Sequence, residues 1–197
     1  ALMDNRAIVL ANLSKGKIGE MNAHMLGLIL ISRLQAAVLR RAKDAPESRA
    51  PFYLYVDEFQ NFSTDTFISL LSESRKYGLG IHLTNQYLTQ LPDQIRDSVL
   101  GNVGTMLSFE VSAEDAKILA DEFAPMSESD FMGLPRFNFY IKLLIDGKTS
   151  EVFSGTGLPP APLAATRETR DHVISLNRLA YGYPRVFVEE TLKHQLN

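Results

Sequence analysis

Cysteine is absent from the sequence, so neither a disulfide framework nor a thiolate metal site can form, and a cytosolic setting fits this composition best. Histidine is scarce. The four present, His24, His82, His172 and His194, fall at no zinc-ligand spacing and have no nucleophile arranged beside them, and no GxSxG elbow accompanies the serines. Long apolar runs are missing as well: the longest, residues 25–31 (MLGLILI), is far short of the roughly 20 residues a bilayer-crossing helix needs, so no membrane segment is expected. Nor is there an excess of positive charge. With 20 Lys and Arg against 23 Asp and Glu, the formal net charge of −3 provides no general surface for polyanions; a nucleic-acid partner is not implied by charge, although a local basic patch stays open.

What remains is an ordinary globular composition, 197 residues at 45% hydrophobic and 22% charged, enough for one full-sized domain with a sizeable core. Residues 7–13 (AIVLANL) predict a short buried strand ended by Ser14-Lys15-Gly16. Residues 18–43 predict one long helix, apolar on more than one face in its first half, with Arg40, Arg41 and Lys43 at the end where the helix dipole favours cations. After a polar loop at 44–50, residues 52–59 (FYLYVDEF) predict a central strand with carboxylates at its carboxy edge.

A helix at 64–77 stopped by Gly78, a strand at 81–85, a helix at 93–102, a strand at 105–111 and a helix at 113–123 follow. Ser112 is the expected cap of the last helix, with Asp115 at the third helical position in place of the longer acid of a capping box. Strands alternating with helices of this length imply parallel βαβ units and a sheet covered on both faces, an open α/β architecture. Residues 137–145 and 150–153 flank Asp146-Gly147-Lys148-Thr149 as a hairpin at a sheet edge, 157–165 (GLPPAPLAA) form a stiff proline-rich linker, and 167–181 and 185–195 are terminal helices. The expected division is an α/β domain at 1–157, a linker at 158–166 and a helical tail at 167–197.

Chemistry concentrates at residues 53–58 (YLYVDE), an apolar strand delivering Asp57 and Glu58 to its end. Ligands of α/β sheets bind at the carboxy edges of strands, where an Asp can hold hydrated magnesium and its neighbour can orient or deprotonate a water attacking a γ-phosphate. The next strand ends in Asn85-Gln86, whose amides lie beside the acids if the two strands are neighbours; Gln86 is the better candidate for sensing a phosphate. Arg75 and Lys76 close the intervening helix, where cations suit the dipole, and Arg75 has the fixed charge and planar fork of an arginine finger. Tyr53, Tyr55, Phe59 and Phe62 are expected to pack in the core rather than to stack on bases.

In order and spacing, the runs YLYVDEFQNF, SLLSESRKYGLGIHLTNQ and LGNVGTMLSFEVSAEDAKILADEF resemble the carboxy-terminal half of the conjugative coupling proteins, the VirD4, TraG and TraD-like DNA-pumping ATPases related to the HerA and FtsK motors. AIVLANLSKGKIGEMNAHMLGLILISRLQ is similar to the strand and helix before their second acidic motif, and YGYPR to their closing segment. The resemblance implies a RecA-like P-loop NTPase core, three-layer α/β/α with a mainly parallel sheet, here lacking its amino-terminal phosphate-loop part and followed by an edge hairpin and helices. It further implies a hexameric motor that moves DNA with ATP and Mg2+. In that motor Asp57 faces the metal through water, Glu58 is catalytic, Gln86 senses phosphate and Arg75 acts on a neighbouring subunit. Relaxase and type IV secretion channel proteins are the implied partners, at the cytoplasmic face of the bacterial membrane.

One departure is large: the GxxxxGK[ST] loop that cradles phosphates is missing. Gly16-Lys17 has Ala11 in place of the first glycine and Ile18 in place of the hydroxyl, while Gly147-Lys148-Thr149 has Lys142 in place of the glycine and lies in a hairpin turn. The chain alone is therefore expected to bind ATP weakly or not at all. Its opening, Ala1-Leu2-Met3-Asp4 without an initiator methionine, leads to the expectation of an upstream portion carrying the loop. Two other readings stay open, a HerA-type motor acting on chromosomal DNA and a catalytically silent ATPase fold that docks secretion partners.

Overall fold

Gly19 separates two helices where the sequence predicts one. In the computed structural model, which describes residues 3–162 and 166–195, α1 (Lys15–Ile18) is a single turn, and Gly19 takes φ 82°, readily reached by glycine, before α2 (Glu20–Arg40) begins. Lys15 bridges the break, 2.8 Å from the carboxylate of Glu20. Ala23, Gly27, Ile31 and Val38 line the buried face of α2. A Cβ at Gly27 would lie 2.1 Å from Cε1 of Phe62, so glycine is what lets the helix close on that ring.

Continued by a 3-10 turn, Glu20–Lys43 is by length and composition long and apolar enough to cross a membrane; a core helix passes the same test, and the run-length argument from residues 25–31 misses it. Arg41, expected at an exposed helix end, is buried. Its Nη1 donates to Ala50 O (2.9 Å) and Tyr77 O (3.2 Å), and its Nη2 meets Asp4 Oδ1 at 3.0 Å, partners that a guanidinium removed from water requires.

β1 (Phe52–Val56) and β2 (Leu79–Leu83) pair in parallel, from Phe52 against Leu79 to Val56 against Leu83. Between them lie α3 (Asp65–Glu73), whose cap Thr64 accepts from Phe67 N, and a 3-10 turn (Ser74–Tyr77) that ends on Gly78 in the left-handed region. Phe52, Leu54 and Val56 point into a core built on Phe59, Phe67, Leu70, Leu79, Ile31 and Val38, where each fully buried large side chain contributes about 1.5–3 kcal/mol. The opposite face is bare: Tyr53 and Tyr55 are 59% and 72% exposed, and Tyr55 stacks on His82 at 4.4 Å. The helices that build this core share one side of the strands, so among the described residues of this unit the expected cover on both faces is not found, and only Phe59 and Phe62 of the four aromatics singled out join the core.

Residues 7–13 belong to no sheet, and Ile8, Val9 and Leu10 are exposed. An apolar run becomes a strand where its backbone groups find an edge to pair with, and this run meets none.

After α4 (Asp93–Asn102), β3 (Met106–Ser108) does not extend the parallel pair. It runs antiparallel to β4 (Asn138–Lys142), which pairs in turn with β7 (Phe153–Thr156). A hairpin forms with a tighter turn than expected: β5 (Leu144–Ile145) pairs with β6 (Lys148–Thr149) around Asp146 and Gly147, both at positive φ as a type I′ turn demands, so Lys148 and Thr149 belong to a strand. A second core gathers Leu119, Phe123, Phe131 and Leu134 from α5 (Ala113–Glu122), α6 (Glu128–Met132) and the following loop, with Phe131 edge-on to Phe123 and Tyr140. Leu88 packs against both cores and joins them. The architecture is mixed α/β, in two short sheets plus the hairpin.

The chain divides into two compact units, Ala1–Gly157 and Leu158–Asn197. The second holds α7 (Arg167–Tyr181), capped by Thr166, and α8 (Arg185–Gln195), neither of which buries a residue. Residues 163–165 of the expected linker lie outside the described residues.

Candidate functional site

β1 stops at Val56, before the acids, because Glu58 takes φ 53° and ψ 47° and turns the chain into a 3-10 helix (Phe59–Phe62) whose first residue is buried. The ladder continues past both strand ends: Thr84 N donates to Val56 O and Phe59 N to Thr84 O, each at 3.0 Å. Carrying the register one residue beyond Val56 and Leu83 sets Asp57 level with Thr84. Their side chains meet, Thr84 Oγ1 donating to Asp57 Oδ1 at 2.5 Å, and Glu58 N donates to the same oxygen at 3.1 Å. Both bonds fall on Oδ1, leaving Oδ2 for another donor or a cation.

Glu58 is half-buried, and amides engage both of its carboxylate oxygens. Gln86 Nε2 donates to Oε1 from the loop after β2, and Gln60 Nε2 donates to Oε2. Gln60 Oε1 is itself buried without a hydrogen-bond partner, so this amide is held by the carboxylate alone. Asn61 Nδ2 donates to the Glu58 carbonyl at 3.0 Å, His24 Nδ1 donates to Asn61 O at 2.6 Å, and Lys15 Nζ donates to Asn61 Oδ1 at 3.0 Å. The break between α1 and α2 thus braces the turn that presents the acid. By donating to Glu20, the Lys15 ammonium also holds that carboxyl below its ordinary value.

Asp57, Glu58 and Gln86 therefore share the carboxy edge of the parallel pair. Arg75 does not join them. It is exposed in the turn before β2, at the amino edge, where an open cleft of about 230 Å3 is lined by Pro51, Tyr53, Arg75, Gly78, Leu79 and Gly80.

Six residues of this arrangement, Thr84, Gln60, Asn61, Asp115, Lys15 and His24, are not marked for it by the sequence alone. Thr84 was legible had the parallel register been known, since it is the partner of the first acid. Gln60 and Asn61 follow the acids directly, but only the left-handed turn at Glu58 folds them back. Asp115 is the largest departure: Ser112 Oγ caps α5 by accepting from Asp115 N at 3.3 Å, yet the Asp115 carboxylate does not return to the cap and instead accepts from Leu88 N and Thr89 N. Among the described residues no group of three His, Cys, Asp or Glu stands at metal-ligand geometry. Asp57, whose Oδ2 takes no part in these bonds, is the residue at this edge that could hold a hydrated cation.

No known protein family matches the sequence, and a search of curated proteins finds no match either. Solved structures do match. The bacterial conjugative coupling protein TrwBdeltaN70, in its unbound monoclinic form, superposes with a TM-score of 0.53 at 12% identity over 64% of this chain and 35% of that one. The plasmid coupling protein TrwB in complex with ADP and Mg2+ gives a TM-score of 0.53 at 14% identity, over 69% of this chain and 38% of that one. The genome packaging NTPase B204 from Sulfolobus turreted icosahedral virus 2, in complex with AMPPCP, gives 0.48 at 16% identity over 67% and 63%. The chain shares the fold of a segment of the coupling protein and spans little more than a third of its length.

Proposed function

We propose that this chain is the acid-bearing part of a RecA-like ATPase that translocates DNA, of the conjugative coupling-protein kind. The observation that carries the reading is the contact of Gln86 with Glu58, made across two parallel strands at the edge where Asp57 is held by Thr84. Fold likeness to a coupling protein solved with ADP and Mg2+ supports it.

In this reading Asp57 orients hydrated Mg2+ through the oxygen its neighbours leave open, and Glu58 receives the proton of the attacking water. Bound Mg2+ supplies charge neutralisation at the phosphates. With both oxygens of Glu58 engaged by amides, proton transfer requires one of them to let go. Gln86 is the exposed one: by turning its amide to a γ-phosphate oxygen it frees Oε1 for the water proton, which makes it a sensor of bound triphosphate. Arg75, at the far edge of β2, suits a site on a neighbouring subunit, in keeping with a hexameric assembly.

The bare Tyr53 and Tyr55 face supports a larger, three-layer sheet, since parallel strands are buried on both sides. The covering helices and the GxxxxGK[ST] loop would then belong to a portion of the protein outside this chain. Relaxase and secretion-channel proteins as partners, and the cytoplasmic face of a bacterial membrane as location, follow from the same reading.

The test is Glu58→Gln in the complete protein. The carboxamide cannot take a proton, so turnover should fall at least about 100-fold while nucleotide binding is retained. DNA transfer that survives this change would leave the silent docking module as the reading that stands.

A further inference from the structure

Asp115 is only 1% exposed, and its carboxylate is used twice, Oδ2 accepting from Leu88 N and Oδ1 from Thr89 N, each at 3.0 Å. A carboxylate removed from water requires such donors. What matters is where the donors lie: two and three residues after Gln86, on a segment that begins at Thr84. That segment is pinned at both ends. Thr84 is held by Val56 O, Phe59 N and Asp57, while Leu88 and Thr89 are held by Asp115, with the Leu88 side chain packed into both cores. Between the pins Gln86 is exposed, and its amide ends on Glu58.

We infer that Asp115 is the positioning residue of Gln86. It sets the height and direction of the loop from which the amide reaches Glu58, and it ties that contact to α5. The tie has a mechanical continuation: at the far end of α5, Glu122 meets Lys142 of β4 at 2.9 Å. A shift of the loop that carries Gln86 would therefore act on α5 and on the sheet beside it, and by reciprocity a displacement of α5 biases the amide. The inference deepens, and rests on, the reading of Gln86 as the phosphate sensor.

The test uses the side-chain amide signals of Gln86 and Gln60 in 1H–15N spectra of the 197-residue chain, with Glu58→Gln marking the position of amides that have lost the carboxylate. Asp115→Asn keeps the side-chain volume and replaces one acceptor by a donor. The expected result is that the Gln86 pair moves to the Glu58→Gln position while the Gln60 pair stays; a Gln86 signal unmoved in a folded Asp115→Asn chain would overturn the inference, because a purely structural clamp lowers stability without redirecting the amide. Should that variant not fold, Gln86→Ala, a change at an exposed side chain, serves as the reciprocal. It should speed amide exchange at Leu88 and Thr89 at least about fivefold relative to Leu54 in β1, and unchanged exchange would equally overturn the inference. Neither readout involves hydrolysis. Full turnover by the Glu58→Gln protein would remove the motor reading and leave the coupling standing, whereas an unmoved amide would do the reverse.

Discussion

Arg75 and Gln86 stand at opposite ends of one strand, the guanidinium before β2 and the carboxamide after it. A parallel strand of five residues spans about 16 Å, so the two cannot serve one phosphate from the same chain. If Arg75 is a finger, it acts between subunits. In the complete protein Arg75→Ala should then lower turnover about 10³-fold or more, and Glu58→Gln at least about 100-fold. Mixing the two inactive proteins should restore activity, since some sites pair an intact Glu58 with an intact Arg75. Mixtures that stay inactive, despite shown co-assembly, would exclude the trans role.

The 197-residue chain holds Asp57 and Glu58 but no GxxxxGK[ST] loop. Titration calorimetry with MgATP should give a Kd weaker than about 1 mM. Micromolar binding or robust hydrolysis by this chain would show that the phosphate site is already complete within it.

Gly27 is fixed by the Phe62 ring rather than by backbone geometry. Gly27→Ala should gain about 1 kcal/mol in helix propensity and lose more, because the methyl group forces Phe62 or α2 to move, at about 1–3 kcal/mol. The expected net effect is a lower urea midpoint, accompanied by shifts at Gln60 and Asn61, which share the Phe62 turn. A raised midpoint would mean that the ring moves freely.

Asp130 gives a pH signature. The Ser127 hydroxyl and backbone N–H donate to its carboxylate, closing a capping box at α6 and holding its pKa below the ordinary 3.8. A folded-state value below the unfolded one means that the stabilisation is fully present above the unfolded value and is lost as pH falls through the folded one. The stability difference between wild type and Asp130→Asn should therefore shrink as pH drops below 3.8, and a difference independent of pH would contradict the capping contact.

Much of this was legible in the residues. Helical periodicity and caps located α4, α5, α7 and α8, and Asp146-Gly147 announced the hairpin, because these signals are local. The likeness to coupling proteins, carried by motif order, is matched by the structural superposition. What the residues did not disclose depends on partners distant in sequence. Residues 7–13 have the composition of a strand but pair with none, and β3 has that composition and takes an antiparallel partner contributed some thirty residues later. Tyr53 and Tyr55 alternate as buried strand residues do, yet both are exposed in the unit that holds them. At the site, YLYVDE and TNQ identified the acids and the amide, while Thr84, Gln60 and Asp115 became visible only through register and tertiary hydrogen bonds.

The left-handed backbone at Glu58 sets backbone strain against side-chain hydrogen bonding at a single position. Any residue with a Cβ carries a penalty there of about 1–3 kcal/mol that glycine escapes. Glycine at 58 would relieve that strain but would also leave the Gln60 amide, held by this carboxylate alone, without a partner, so the two effects oppose each other in any selection for stability. A glutamate kept there is strained through its backbone, and its two amide contacts offset that strain.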